Sequence, residues 1–143
     1  MDETHFRKLE RMYRGAPVNQ RFDPALRVGE GEATLELAVD ESYFHPLNAV
    51  HGMVYFKALD DAAFFAANSL VEDVFVLTTD FNTYLERPIS EGTIHAEGEV
   101  LNDNPSQLIA GAVAYDDDGN ELARGTGTFR KSDVALSADI GYE

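Results

Sequence analysis

The chain has 143 residues, 44 % of them hydrophobic, which is the size and make-up of one domain around one packed core. Acidic residues outnumber basic ones 26 to 11, a formal charge of −15, so nucleic acid and anionic membrane surfaces are excluded as first partners. No cysteine is present, which removes disulfides, thiolate metal sites, iron–sulfur clusters and a cysteine nucleophile.

Residues 5–14 set Phe6, Leu9, Met12 and Tyr13 among charges, one apolar stripe of a short helix that Gly15 and Pro17 end. So charged a start predicts no secretory leader there, and the expected location is cytoplasmic. Residues 18–28 alternate weakly and are expected to hold a further short strand. Ala33, Leu35 and Leu37 alternate with polar neighbours, a half-buried strand over 31–39. Pro46 and Asn48 mark 40–50 as a loop. The strongest helix signal is 52–70, GMVYFKALDDAAFFAANSL, apolar on nearly every side and therefore buried. Its uncharged stretch, 62–71, is far shorter than a bilayer span.

Four strand-like runs follow, over 74–86, 93–101, 108–115 and 121–130. They are separated by the turn-rich stretches RPISEG, NDNPS and DDDGN, and such short turns imply antiparallel pairing. Residues 132–143 show no period and are expected to be a mobile tail. A helix apolar all round needs something wrapped around it. The expected fold class is therefore α+β, a strongly curved antiparallel sheet of five to six strands around a long central helix.

Asp60 and Asp61 interrupt that helix. Lys57 lies four residues before Asp61, on the same face, and is its expected partner. Asp60 has no such partner in the helix, with Phe56, Ala63 and Phe64 around it. Two readings are open for Asp60: a carboxylate at the sheet edge touching water, or one held in a dry cleft as general base or nucleophile. At the helix start, His51-Gly52-Met53 presents unpaired N–H groups at the positive end of the helix dipole. Gly52 lets a ligand approach that backbone closely, and the free N–H groups suit a developing oxyanion. The bland alternative is an ordinary loop-to-helix junction.

Together these segments resemble a known family. HGMVYFKALDDAAFFAANS is similar to the His-Gly-Gly…Asp segment of the hotdog-fold acyl-CoA thioesterases, in particular the phenylacetate-pathway (PaaI-like) group. VLTTDFNTYLERPISEGTIHAEGEV resembles that group's next strand pair, and YDDDGNELARGTGTFRK its closing hairpin. The likeness runs in order over about residues 25 to 131. It implies a single hotdog domain over 1–143 (an N-terminal helix over 1–17, a core over 18–131 and the tail), dimers paired sheet to sheet, and dimers of dimers. It also implies an acyl-CoA substrate, coenzyme A being part of that substrate and no further cofactor being required. By position, Asp60 matches the catalytic acid, His51 and Gly52 the first two motif residues, and Thr78 a hydroxyl beside the site. Met53 stands where the family has its second glycine, and His45 where many members have asparagine; Asn48 is the alternative for that role.

Gly52 and Asp60 are eight residues apart, roughly 12 Å along a helix. A thioester carbonyl has to lie within about 3–3.5 Å of both the oxyanion donor and the attacking group. One subunit cannot supply both; two antiparallel helices about a two-fold axis can. The chemistry expected is thioester hydrolysis at a site shared between subunits. The carbonyl oxygen accepts from Gly52 and Met53 N–H groups, and Asp60 activates water or attacks first to form an anhydride. His51 shapes the helix entry. Phe64 is a candidate lining of the acyl pocket, and Tyr84 and Leu85 are ambiguous between strand and site. Arg87, Arg124, Arg130 and Lys131 are candidates for the phosphates of coenzyme A. The rivals are a hotdog hydratase or dehydratase and a non-catalytic acyl-CoA-binding subunit. The acidic run at 116–118 reads as a hairpin turn and not a calcium loop, and no motif spacing marks a metal site. Lysines are only three of the eleven cations, a balance that a salt-adapted surface and a GC-rich coding sequence both produce.

Overall fold

The computed structural model describes residues 2–143. Helix α1 (Glu3–Gly15) opens with Asp2 as its cap, whose side chain accepts from the Thr4 N–H at 2.9 Å. Its stripe of Phe6, Leu9, Met12 and Tyr13 is buried as the spacing predicts. Pro17 does not simply stop it. With φ already fixed for a first helical turn, it starts a second helix, α2 (Pro17–Phe22), which ends where Asp23 takes a left-handed φ of 48°. The stretch expected to hold a short strand is thus divided between α2 and strand β1 (Ala25–Gly29).

Strand β2 (Glu32–Ala38) alternates strictly, with Ala33, Leu35 and Leu37 inward. A 3-10 turn (Glu41–Tyr43) leads into the long helix α3 (Gly52–Ser69). Strands β3 (Val74–Leu85), β4 (Thr93–Asn104), β5 (Gln107–Tyr115) and β6 (Glu121–Ala135) complete one six-stranded antiparallel sheet in the order β1-β2-β4-β5-β6-β3. Helix α3 touches all six strands. Six strands at about 4.8 Å are twice as wide as a helix, so a helix running beside β3 and touching every strand requires the sheet to curl around it. Ala58, Ala62, Ala63, Ala66 and Ala67 let it sit close, all fully buried. At Gly98 on β4 a side chain would run into the Ala62 backbone, so the approach there demands glycine.

Two edges close the sheet differently. Beside β1, the Glu10 carboxylate accepts the Val28 N–H at 2.8 Å and the Arg7 guanidinium donates to the Val28 carbonyl at 2.6 Å. Side chains of α1 therefore occupy that edge. Edge strand β3 pairs only with β6 within the chain and carries exposed Leu77, Tyr84 and Leu85.

Residues 132–143 correct the expected tail. Strand β6 continues to Ala135 because the start of β3 needs a partner: Val76 pairs with Lys131 and Val74 with Ala135. A 3-10 turn (Ala138–Ile140) follows, and Tyr142 donates its hydroxyl hydrogen to His5 Nδ1 at 2.7 Å. His5 Nε2 in turn meets the Asn68 carbonyl at 2.9 Å, so Nε2 carries the ring hydrogen. Residues 130, 131 and 133–135 are exposed strand, which leaves no apolar alternation to read. The acidic run at 116–118 is the expected hairpin turn. Asp116 accepts from the Asp118 and Asn120 N–H groups at 3.0 and 2.8 Å, and Gly119 takes a φ of 81°.

Candidate active site

Helix α3 and strand β3 run antiparallel along a seam. Phe64 meets Phe75 with ring centres 5.2 Å apart. One turn earlier, Thr78 Oγ1 donates to Asp60 Oδ1 at 2.9 Å. Another turn earlier, Phe56 and Phe81 make an edge-to-face pair at 5.6 Å. At the helix start, Leu85 lies over Gly52, where an added Cβ would come within 2.8 Å of its Cδ1. Asp60 and Thr78 are therefore brought together as expected, and the partner that the helix itself does not offer Asp60 comes from β3. A register shift between Thr78 and Asp80 marks a bulge beside the hydroxyl, a place where a strand re-aims its side chains.

Asp60 is half-buried. Burial pushes its carboxyl up to about 6, against the opposing pull of the Thr78 hydrogen bond; the neighbouring Asp61 adds to the rise and Lys57 opposes it. Asp60 thus lies against the edge strand β3, part exposed and part withdrawn from water. Asp61 differs completely. It takes 2.8 Å from Lys57 Nζ and 2.7 Å from the Tyr13 hydroxyl, and Lys57 also donates to Asn19 Oδ1 at 2.7 Å. Burial beside that carboxylate holds the Tyr13 phenol well above its ordinary value.

His51 caps α3. Its Nδ1 accepts the Met53 N–H at 3.0 Å, so the neutral ring carries its hydrogen on Nε2. This corrects one expectation: the Met53 N–H is spent on the cap and is no second oxyanion donor. The Val54 N–H goes to the His51 carbonyl at 3.0 Å. Among the described residues the Gly52 N–H has no acceptor, which leaves it as the open donor of the first turn. Between Gly52 and Asp60 the seam is filled by the Phe56–Phe81 pair, so one chain does not bring donor and carboxylate together.

Residues 47–123, more than half of the chain, match the thioesterase superfamily. The chain belongs to that superfamily. A Saccharolobus solfataricus protein named as a candidate esterase, SSO1253, is 24 % identical over 103 residues, spanning 72 % of this chain and 69 % of that protein. The structure of the E. coli PaaI protein, from the phenylacetic acid degradation operon, superposes with a TM-score of 0.86 at 15 % identity, covering 94 % of this chain and 98 % of that one. A thioesterase family protein from Silicibacter pomeroyi gives a TM-score of 0.81 at 25 % identity, covering 88 % and 96 %. The architecture is the hotdog fold, as the resemblance implies.

The remaining candidates of this thioesterase-superfamily chain are spread over both faces of the sheet. His45 and Asn48 form the turn before α3: His45 Nδ1 accepts from the Leu47 N–H at 3.1 Å, and Asn48 sits at a φ of 61° with its carbonyl held by Ser90 Oγ at 2.9 Å. Phe64 packs against Phe65, Phe75 and Phe129. Arg87 is exposed, its carbonyl accepting from the Tyr55 hydroxyl at 2.8 Å. Arg124 is not at the Asp60 face. It projects from the outer face of β6 opposite Tyr84 and Val113, and its guanidinium is held by Glu121 at 2.8 and 2.6 Å. A groove of about 1130 Å³ covers that outer face and includes Arg124 and Tyr84, but neither Asp60 nor Gly52. Arg130 and Lys131 are exposed on β6, opposite Leu77 and Val76. Among the described residues no helix is long and apolar enough to cross a membrane.

The residues that sequence reasoning missed are Phe81, not singled out within the run 74–86, and Leu85 as the cover of Gly52. The pair Gly125 and Gly127, two small residues on one face opposite an aromatic strand, was the available signal for the first.

Proposed function

We propose that this hotdog protein hydrolyses an acyl-CoA thioester, of a short or medium chain or an aryl acid, to the free acid and coenzyme A. Asp60 is the general base and the Gly52 N–H of a second copy is the oxyanion donor. The observation that carries this reading is the setting of Asp60: a half-buried carboxylate with one oxygen held by Thr78 and, among the described residues, no hydrogen bond to the other, so that burial pushes it up to about 6. A base of that strength is ionised at neutral pH yet still takes a proton effectively.

In the reaction, water loses a proton to Asp60 and its oxygen bonds to the carbonyl carbon. The carbonyl oxygen gathers negative charge against the Gly52 N–H and the positive end of α3. The C–S bond then breaks, and the proton held by Asp60 returns to the departing thiolate. Coenzyme A is part of the substrate, so the step balances with water alone. Exposed Arg87, Arg130 and Lys131 are the cations proposed to meet its phosphates, since Glu121 already occupies Arg124.

A homodimer is part of the reading. Exposed Met53 (55 %) and Phe56 (42 %) lie on the stripe of α3 that faces β3, next to that strand's exposed Leu85 (56 %). These residues suit cover by a second copy, and an unpaired strand edge invites one. Phe56 lies midway between Gly52 and Asp60, so antiparallel helices that bring Gly52 to Asp60 also bring Phe56 against its own copy.

Thiol release from a panel of acyl-CoAs tests the activity. Hydration of an enoyl-CoA without thiol release would favour the hydratase, and binding without release would favour the non-catalytic subunit. Complementation tests the sharing. Gly52→Pro removes the donor N–H at a position where proline starts a helix well, and His51 already has the extended backbone that proline requires before it. Gly52→Pro and Asp60→Asn homodimers are each expected to lose about 10²–10³ in kcat or more. Verified heterodimers of the two are expected to regain up to one working site. Heterodimers no more active than the parents refute the shared site.

A further inference from the structure

Phe81 is placed in an unusual way. Its ring lies flat on β6 at Gly125 and Gly127, and a Cβ at either position would overlap it. Both glycines face inward, since Gly125 pairs with Ala112 and Ala112 with Gly98, the residue against Ala62 of α3. Two positions on one strand are thus kept bare to seat a single ring.

That ring is not sealed into the core. Phe81 is only half-buried, and its edge-to-face partner Phe56 is 42 % exposed. The pair sits one helical turn from Asp60, on the side toward Gly52. On the opposite side of Asp60 the seam is filled by Phe64 and Phe75, backed by fully buried Phe129. An acyl group whose carbonyl reaches Asp60 therefore meets a ring in either direction, and the less buried of the two aromatic pairs is Phe56–Phe81.

We infer that Phe81, seated on Gly125 and Gly127, is the residue that limits the acyl group to a small one, closing a slot that would otherwise run along the glycine floor beside Asp60. This rests on the hydrolase reading above and narrows its substrate class to short acyl thioesters. Removing the ring opens that slot to further methylene groups. Because each extra methylene in an apolar pocket changes discrimination by about tenfold or more, the effect is measurable.

The test compares kcat/KM for acetyl-, butanoyl- and octanoyl-CoA by thiol release. Wild type is expected to prefer butanoyl- over octanoyl-CoA. Phe81→Ala is expected to raise the octanoyl-to-butanoyl ratio by about tenfold or more, and Phe81→Leu by an intermediate factor. Gly127→Ala, which drives the ring toward the seam, is expected to lower the butanoyl-to-acetyl ratio. A ratio measured on one preparation cancels any loss of folded protein, and Phe81→Leu carries the test if Phe81→Ala does not fold. Unchanged ratios in active variants, or a wild type that prefers octanoyl-CoA, overturn the role of Phe81 and leave the hydrolase reading standing. A wild type that releases no thiol from any acyl-CoA overturns both.

Discussion

Asp60 and Asp61 are the same residue on the same helix, one step apart, and the structure treats them as different chemical species. Asp61 turns toward α1 and α2, where Lys57, Tyr13 and Asn19 form a closed polar network and the Lys57 ammonium lies 5.5 Å from the Tyr13 ring and 5.6 Å from the Phe22 ring. Asp60 turns toward β3, where one neutral hydroxyl is its hydrogen-bond partner. One flank of α3 satisfies its carboxylate and uses it as a fastening between helices. The other leaves the carboxylate short of partners and raises its proton affinity. A buried acid becomes reactive through what its surroundings withhold.

Exchanging each carboxylate for its amide breaks the comparison most sharply. Asp60→Asn is expected to cut kcat by about 10²–10⁴, whereas Asp61→Asn stays within about tenfold of wild type. Stability runs the other way. Because the folded-state pKa of Asp60 is raised from 3.8 to about 6, the folded protein binds the proton more tightly than the unfolded chain. Stability is therefore lost as pH rises from about 4 to about 6, and at pH 7 wild type carries the full penalty. Asp60→Asn is expected to melt a few degrees (~2–5 °C) higher at pH 7, with the gain vanishing near pH 4, by calorimetry.

Lys57→Met attacks the other flank. It leaves Asp61 with the Tyr13 hydroxyl but no counter-charge, and costs on the order of 3 kcal/mol, read as a lower denaturant midpoint. Catalysis by the protein that remains folded is expected to change little. The smallest effect belongs to Thr78→Val. Wild-type kcat/KM is expected to rise with pH through about 6 as Asp60 ionises. The Thr78 bond favours the ionised form, so its loss moves that limb to higher pH and lowers kcat a few-fold, by about 1 kcal/mol. An unmoved limb would mean that Thr78 does not touch the titrating group.

What could be read without coordinates followed from periodicity. Helix α3 and the four later strands each carry a pattern of their own, and their bounds agree to within three residues except at the end of β6. Helix α2 carries none: Val18 is exposed, and proline's fixed φ, rather than an apolar stripe, starts the segment. The end of β6 was illegible because its pairing demand comes from the start of β3, about sixty residues earlier in the chain, with β4 and β5 between them. The Lys57–Asp61 pair is local and was visible; the Tyr13 and Asn19 that complete it come from other elements. Thr78 reached the site only through the family resemblance, because hydrogen bonding across the seam depends on register. The side of Arg124 was illegible for a related reason: a list of cations carries no side, and one residue of alternation puts it on the face of the sheet away from Asp60.

The plugged border beside β1 has a consequence for growth. Strands recruit strands, and a sheet open at both ends would add copy after copy into a fibre. Here Arg7 and Glu10 have already taken the Val28 amide and carbonyl, so a strand arriving beside β1 would meet side chains of α1 where it needs free backbone groups, and that border is a poor template for growth.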